Sequence, residues 1–260
     1  MSAPDVLTRI TDAVRDRLER EPAAAGLEEA ARAAAAGRRS LRAALAAAGV
    51  RVIAECKRRS PSQGWLRQPF DPVELARAYE AGGAAAISVV TEPEFFAGRP
   101  ESVAAVRGAV TLPVLQKDFL LVPRQLFEAV LLGADAVLLI ARALPGTRLG
   151  EMLALAAELG LETLVEVHDA GELERVLALD APVVGVNARD LASFGVDLVA
   201  AAALARRVPE ERTAVIESGV SSPDDVRRLL AAGARRFLVG EHLVRSADPR
   251  AALAELLACG

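Results

Sequence analysis

The stretch LGADAVLLI, residues 132–140, decides the fold class because it joins the end of a helix directly to a buried strand. Gly133 suits the left-handed conformation that ends a helix, and the apolar run after it is typical of a parallel strand covered on both faces. The same arrangement returns at residues 81–90, 159–167 and 232–240. These repeats predict a series of consecutive βα units.

Eight strands are predicted when the remaining apolar runs are added. They are expected at residues 52–56, 86–90, 113–117, 136–140, 163–167, 183–187, 213–217 and 237–240. Asp71-Pro72, Ser222-Pro223 and Asp248-Pro249 each place a capping side chain before a proline suited to the first position of a helix. Eight alternating units predict an α/β fold, a single (β/α)8 TIM barrel. An open doubly wound sheet would carry a glycine-rich loop after its first strand, where this chain has Glu55-Cys56-Lys57.

Residues 1–50 precede the first strand and are predicted to form an N-terminal helical extension. Val6, Leu7, Ile10, Val14 and Leu18 have the spacing of one apolar helix face. We therefore expect one domain, residues 1–260, in which the extension packs on the barrel. The alternative is a disordered tail rich in alanine and arginine, and the regular apolar spacing argues against it.

The composition excludes several classes of function. The net charge of -4 leaves no basic surface for nucleic acid or an anionic membrane. No apolar run approaches the ~20 residues that span a bilayer. Cys56 and Cys259 have neither metal-binding nor disulfide spacing. We expect a soluble, cytoplasmic protein, with a monomer as the default and a small molecule as its partner.

Lysine is the residue type that points to an active site. Among 31 basic residues, only Lys57 and Lys117 are lysines. Arginine supplies positive charge but does not release its proton, so a lysine retained in an arginine-rich chain suits a titratable role. Both lysines fall at the carboxyl ends of predicted strands, where barrels hold their active sites. The alternatives are two chance surface lysines and a purely structural ion pair between Glu55 and Lys57.

Other polar residues occupy the same ends of the strands. They are Glu55, Ser88, Glu166, Asn187, Arg189, Glu217 and Ser218. Because side chains alternate along a strand, Glu55 and Lys57 face one side and Cys56 faces the other. Cys56 is therefore predicted to pack under the helices rather than to act as a nucleophile.

Glycines after the last two strands predict a phosphate site. Strand seven ends in Ser218-Gly219 and strand eight in Gly240-Glu241, and barrels often bind phosphate at these two loops through backbone N–H groups. Ser60, after the first strand, adds a hydroxyl. This combination favours a phosphorylated substrate.

Ring side chains are few, and several follow strand ends. Phe95, Phe96 and Phe119 lie just beyond predicted strands and favour a pocket for a planar, apolar group, with ordinary loop packing as the alternative. His168 is predicted to cap a helix or to support a neighbouring site residue rather than to act as a catalyst. His242 is assigned no role.

Five longer motifs resemble those of indole-3-glycerol phosphate synthases. They are IAECKRRSPS at 53–62, LQKDF at 115–119, LVEVH at 164–168, GVNARDL at 185–191 and ESGV at 217–220. The similarity runs in order from about residue 5 to residue 258, so it includes the extension. It implies a TIM-barrel carboxy-lyase of tryptophan biosynthesis. Such an enzyme converts 1-(2-carboxyphenylamino)-1-deoxyribulose 5-phosphate to indole-3-glycerol phosphate with loss of carbon dioxide and water, without a metal or redox cofactor.

The resemblance also implies a role for each residue of the site. Lys117 would be the general acid at the ribulose carbonyl and Glu166 the general base. Lys57 would contact the substrate carboxylate or act as the acid in dehydration. Glu55, Asn187 and Glu217 would orient the substrate and the lysines. The substrate-binding residues would be Ser60, Ser218, Gly219, Gly240 and Glu241 at the phosphate, Phe96, Phe119 and Leu138 at the anthranilate ring, and Arg189 near the polar groups.

Two further expectations follow from the resemblance. For the lysines to act as acids near neutral pH, burial and neighbouring charge should lower their pKa values. The chain departs from the family at Gln63, Ala188 and His242, where lysine or glycine, asparagine and serine respectively are common. None of these departures removes a proposed acid or base.

Three other functions fit a barrel with these residues. A phosphoribosyl isomerase would need a Cys or Asp acid–base pair in the pocket, and the outward orientation of Cys56 argues against it. A Schiff-base aldolase would use Lys117 as its nucleophile, and borohydride would trap its covalent adduct. A sugar-phosphate sensor would bind without turnover, and the full set of acids and bases argues against that function.

Overall fold

Eight parallel strands close into a barrel in the computed structural model, which describes residues 6–190 and 195–260. The barrel strands are β1 (Arg51–Cys56), β2 (Ala86–Val90), β3 (Val114–Lys117), β4 (Ala136–Ile140), β5 (Glu162–Val167), β6 (Val183–Asn187), β7 (Thr213–Glu217) and β8 (Arg236–Val239). A separate two-stranded antiparallel sheet, Arg59–Ser60 with Gly64–Trp65, follows β1. Neighbours in the chain are neighbours in the barrel, and β8 pairs with β1. The predicted fold class is confirmed, and each barrel strand lies within one residue of its expected bounds. Leu191, in the fourth motif, is outside the described residues.

Helices surround the strands. Their bounds are α1 (Val6–Arg20), α2 (Leu27–Ala33), α3 (Leu41–Ala46), α4 (Pro72–Ala81), α5 (Pro93–Phe96), α6 (Ser102–Ala109), α7 (Pro123–Leu131), α8 (Arg148–Glu158), α9 (Ala170–Leu177), α10 (Leu198–Ala205), α11 (Pro223–Ala231), α12 (Glu241–Arg245) and α13 (Pro249–Leu257). Asp71, Ser222 and Asp248 accept hydrogen bonds from the first turns of α4, α11 and α13, as predicted. Within the described ranges, no helix is both long and apolar enough to cross a membrane.

Alternation along the strands divides the core into two layers. In β1, Ile53 packs inside the barrel, whereas Val52, Ala54 and Cys56 pack against the surrounding helices. The Cys56 thiol is buried and donates to the carbonyl oxygen of Pro72 at 3.6 Å. Its predicted outward orientation is confirmed, and Glu55 shares the inward face with Ile53.

Helix α3 closes the amino-terminal end of the barrel. Leu41 and Leu45 pack with the residues of the barrel interior. Arg51 and Arg236, at the starts of β1 and β8, donate hydrogen bonds to the carbonyl oxygens of Ala44 and Leu45. These contacts tie the segment before the barrel to the strands that close it.

Helix α1 covers the opposite end, where the strands finish. Its buried residues Ile10 and Val14 pack with Leu121 and with the rings of Phe96 and Phe119. The amphipathic helix predicted from the apolar spacing is therefore present. The division of the chain into one domain with residues 1–50 as its extension stays a prediction.

Candidate active site

The predicted polar side chains meet at the carboxyl ends of the strands, where two connected clefts open. Both are lined by Glu55, Lys57, Lys117, Arg189, Ser218 and Glu241. The remaining predicted site residues line one cleft each: Ser60, Phe96, Phe119, Leu138, Glu166 and Asn187 the first, and Glu217, Gly219 and Gly240 the second.

Glu55 joins the two lysines. Its Oε1 lies 2.6 Å from Nζ of Lys57, and its Oε2 lies 3.7 Å from Nζ of Lys117. Glu217 Oε2 lies 3.9 Å from the same Lys117 nitrogen. Because β1, β3 and β7 finish at the same end of the barrel, residues far apart in sequence form one charge cluster.

The electrostatics of the cluster hold Lys117 as an ammonium ion. Burial would lower its pKa, but the carboxylates of Glu55, Glu166 and Glu217 outweigh burial and raise it. The expectation of a lowered lysine pKa is therefore wrong for Lys117. Spacing along the chain did not reveal how many carboxylates would face one amine. Such an ammonium can still protonate an oxygen that becomes alkoxide-like, because that oxygen is more basic than the amine.

Glu55 and Glu217 differ in charge state although both are buried. Burial raises the pKa of Glu55, but Lys57 and Lys117 outweigh burial and bring it below its usual range. For Glu217, burial and the nearby Glu166 carboxylate raise the pKa to about 8. Among the described residues, neither oxygen of Glu217 has a hydrogen-bond partner. The cluster thus contains both an ionised carboxylate and a carboxyl that holds its proton near neutral pH.

Glu166 is held in its ionised form. Burial would raise its pKa, but His168, Lys117 and Asn187 outweigh burial and lower it to about 2. Asn187 Nδ2 donates to Glu166 Oε1 at 3.1 Å, and Asn187 Oδ1 accepts from the backbone N–H of Arg189 at 3.0 Å. An ionised, oriented carboxylate in a cleft can accept a proton, but the lowered pKa makes Glu166 a weaker base than a free glutamate.

His168 contacts Glu166 directly. Its Nε2 lies 3.2 Å from Glu166 Oε1. The cap of α9 is Asp169, which accepts from the backbone N–H of Glu172 at 2.9 Å. Of the two roles predicted for His168, capping is wrong, and the structure instead places it against a site residue. The signal in the sequence was its position two residues after Glu166, at the end of the same strand.

Two glycines make room for the carboxylates. A Cβ at Gly185 would lie 1.9 Å from Oε1 of Glu217, and a Cβ at Gly240 would lie 2.4 Å from Oε1 of Glu55. The prediction assigned Gly240 to phosphate binding only and gave Gly185 no role. A glycine inside an apolar strand, as in VVGVN, is the signal that could have identified Gly185, because such a glycine often marks a close approach.

The second cleft has the features of an anion site. Ser218 and Gly219 both have a left-handed backbone, with φ of 66° and 83°. Strain at a residue other than glycine, as at Ser218, is typical of functional loops. Gly240 precedes α12 with no side-chain cap, so the first N–H groups of that helix remain available to an anion. Arg245 also lines this cleft, as do two of the family departures, Gln63 and His242.

The first cleft has an apolar wall. The rings of Phe96 and Phe119 lie 6.0 Å apart at 36°. Leu138 and Ile140 of β4 line the same cleft, together with Val6, Leu7 and Ile10 of α1. The contribution of α1 to the wall was not predicted. Phe95 lies outside this wall, with the guanidinium of Arg9 5.9 Å from its ring centre.

A metal centre finds no support in the described part of the chain. There, no group of three or more His, Cys, Asp and Glu side chains is placed to hold a metal ion.

Comparison with known proteins decides the family. The family model of indole-3-glycerol phosphate synthase matches residues 7–256. The chain belongs to the indole-3-glycerol phosphate synthase family. An indole-3-glycerol phosphate synthase from Azospirillum brasilense is 45% identical over 260 residues, covering 98% of this chain and 99% of the relative. Another, from a Nocardioides species, is 52% identical over 207 residues, covering 80% of each chain.

Solved structures outside the indole-3-glycerol phosphate synthases share the barrel. A 3-hexulose-6-phosphate synthase has a TM-score of 0.64 at 21% identity, covering 80% of this chain and 99% of its own. Thiamine phosphate pyrophosphorylase from Pyrococcus furiosus has a TM-score of 0.62 at 19% identity, covering 85% of this chain and 97% of its own. At these identities, the likeness shows the fold alone.

Proposed function

We propose that this chain is a carboxy-lyase of tryptophan biosynthesis that makes indole-3-glycerol phosphate. Its substrate would be 1-(2-carboxyphenylamino)-1-deoxyribulose 5-phosphate, and carbon dioxide and water would be released. The observation that carries the proposal is the position of Lys117. Its ammonium lies among the acidic side chains of Glu55, Glu166 and Glu217, where the apolar cleft meets the anion-binding cleft.

Ring closure is the first step of the proposed reaction. As the ring carbon that bears the carboxylate attacks the ribulose carbonyl carbon, Lys117 Nζ donates its proton to the carbonyl oxygen. The carbon–carboxylate bond then breaks, carbon dioxide leaves, and the bonding electrons restore the aromatic ring. A preorganised ammonium stabilises the developing negative charge on the oxygen throughout this step.

Dehydration completes the indole. The new hydroxyl leaves as water after protonation by Lys57 or Lys117, and Glu166 accepts the proton lost from the adjacent carbon. Two protons are donated and one is accepted, so one proton is taken from solvent in each cycle. Glu55, 2.6 Å from Lys57 and 3.7 Å from Lys117, orients both acids.

The two clefts divide recognition of the substrate. Phe96, Phe119 and Leu138 would contact the anthranilate ring. The phosphate would bind Ser60 and Ser218 together with backbone N–H groups at Gly219, Gly240 and Glu241. Arg189 would lie near the substrate's polar groups, and Asn187 and Glu217 would orient the substrate and Lys117.

The rival enzymes require side chains in states that differ from those seen. The isomerase needs a Cys or Asp acid–base pair in the pocket. The Cys56 thiol packs outside the barrel, and both carboxylate oxygens of Asp118 already accept hydrogen bonds, from the Thr91 hydroxyl and the Phe119 backbone N–H. The aldolase needs a neutral, nucleophilic Lys117, but the acidic side chains around that amine raise its pKa.

The proposal includes a monomeric, cytoplasmic enzyme. One chain contributes every side chain of the proposed site, and both cysteines are free thiols, as is usual in a reducing compartment. Light scattering coupled to size exclusion and fractionation of the source cells would test the two statements separately.

Turnover by the purified protein tests the function. Supplied with the carboxyphenylamino-deoxyribulose phosphate, the enzyme should produce indole fluorescence and release carbon dioxide in equal amounts. Well-folded protein that binds this substrate without forming indole would favour the sensor. Trapping of an adduct by borohydride would favour the aldolase.

A further inference from the structure

Glu166 is anchored through one of its two carboxylate oxygens. Oε1 accepts the hydrogen bond from Asn187 Nδ2 at 3.1 Å and lies 3.2 Å from Nε2 of His168. Because both of these contacts use Oε1, Oε2 is left for the proton of a substrate. The orientation of the carboxylate therefore depends on what fixes His168.

His168 is fixed from its other side by Glu172. The imidazole is only 5% exposed, and its Nδ1 lies 3.3 Å from Glu172 Oε2. That same oxygen accepts from the backbone N–H of His168 at 2.8 Å. The other oxygen of Glu172 is paired with Nε of Arg142, and Nη2 of the same arginine donates to Asp169 Oδ2 at 3.1 Å. A continuous series of polar contacts thus joins a surface arginine to the carboxylate in the cleft.

An imidazole between two carboxylates is most stable as the cation. Burial would lower the pKa of His168, but Glu166 and Glu172 outweigh burial and raise it to about 10. A neutral ring would direct a lone pair at one of the two carboxylates, which repels it. Nε2 and Oε1 lie at ion-pair distance, 3.2 Å, although the contact does not have the alignment of a good hydrogen bond.

Other charges also face Glu166. Lys117 on β3 stabilises its ionised form, and Glu55 on β1 and Glu217 on β7 oppose that form. Asn187 on β6 contributes a neutral donor. His168 is therefore the second cation beside this carboxylate, and Glu172 links it to α9. The charge of His168 also acts on Glu217, whose pKa it lowers.

We propose that the imidazolium of His168 is a positioning residue that fixes Glu166 through Oε1, keeps it ionised, and leaves Oε2 directed to the reacting carbon. Glu172 and Arg142 hold the imidazolium in place. This inference rests on the proposed function, because Glu166 acts as a base only if the proposed reaction occurs.

Kinetics of two His168 variants test the role. His168→Ala should lower kcat by about 10- to 100-fold with little change in KM, since misplacing a catalytic group by about 1 Å has this effect. The pKa of the acidic limb of kcat should rise by about one to two units, because Glu166 loses a charged partner. His168→Gln is polar but neutral. Its kcat should be higher than that of His168→Ala, and the pKa of its acidic limb should stay raised.

A control residue lies on α9, the helix that carries Glu172. Glu174 of α9 is 69% exposed and pairs with Arg207 at 2.9 Å, away from the cleft. Glu174→Gln should behave as wild type in both kcat and pH profile. If both His168 variants also have the kcat and acidic limb of wild type, the positioning role is wrong. If His168→Gln alone has the same acidic-limb pKa as wild type, the positive charge of the imidazolium is not required.

The protonation state can be measured without turnover. The chain has only two histidines, His168 and His242, so nitrogen-detected NMR of the imidazoles is simple to assign with a His242→Asn variant. Both ring nitrogens of His168 should carry protons at pH 8. A neutral ring would overturn this inference and leave the proposed function intact, whereas wild-type protein without turnover would overturn the proposed function.

Discussion

Replacing Gly185 with alanine tests whether the geometry of the carboxylate cluster governs turnover. The added Cβ would lie 1.9 Å from Oε1 of Glu217 and 3.3 Å from Cδ1 of Leu164. Real Cβ contacts are essentially never below 3.0 Å, so the carboxyl must move by about 1.1 Å. Glu217 is only 1% exposed, so its carboxyl can move only against its neighbours or into the second cleft beside Lys117. The movement must therefore change its distance to Lys117 or displace the strands.

The expected cost follows from this displacement. Overpacking of a buried site costs about 1–3 kcal/mol, which lowers Tm by roughly 2 to 12 °C in a chain of this size. A shift of about 1 Å beside the general acid should lower kcat by about 100-fold. Thermal unfolding and steady-state indole fluorescence on the same preparation separate the two effects.

Gly108→Ala is the matched control. Gly108 lies within α6, and a Cβ there would meet no atom within 4 Å. The substitution should leave kcat unchanged and stabilise the helix by about 0.5–1 kcal/mol. If Gly185→Ala folds and has the kcat of wild type, the position of Glu217 does not matter and the reasoning about the cluster is refuted.

Three further predictions concern single residues. Gly240→Ala puts a Cβ 2.4 Å from Oε1 of Glu55, so it should break the ion pair between Glu55 and Lys57. The value of kcat/KM should then fall by more than about tenfold, and near-normal steady-state kinetics would contradict this. Glu217, with a pKa of about 8 against 4.5 for the free side chain, binds its proton more tightly in the folded state. The free energy of unfolding should therefore fall as pH rises from about 4.5 to 8. Glu217→Gln should flatten that slope in denaturant titrations at several pH values. An unchanged slope in the variant would contradict the prediction. Cys56→Ala should keep kcat within about threefold of wild type, because the thiol packs outside the barrel, whereas abolished turnover would revive the isomerase.

The barrel could be read from the sequence because each strand is a local feature. Gly133 and the run after it mark a helix end and a strand within a few residues, and the same signal recurs along the chain. Because side chains alternate along a strand, the sequence alone predicts Glu55 inside the barrel and Cys56 outside it. The two lysines could be identified as candidates only because every other basic residue is an arginine.

Features that depend on several distant segments were not predictable. The raised pKa of Lys117 arises from acidic side chains on three other strands, Glu55 on β1, Glu166 on β5 and Glu217 on β7, and a single stretch of sequence does not reveal their sum. The contact between His168 and Glu166 depends on how Glu172 of α9 turns back to the ring. The apolar wall contributed by Ile10 depends on where α1 crosses the barrel.

The most direct test of the central claim, that Lys117 donates a proton, is the turnover of Lys117→Arg. Arginine keeps the positive charge among Glu55, Glu166 and Glu217 but does not release a proton. The account predicts that kcat falls by about 100-fold or more while indole-3-glycerol phosphate, titrated by calorimetry, still binds within about tenfold of wild type. A variant that binds the product and turns over near the wild-type rate would show that only the charge is required, and the assignment of Lys117 as the general acid would be wrong.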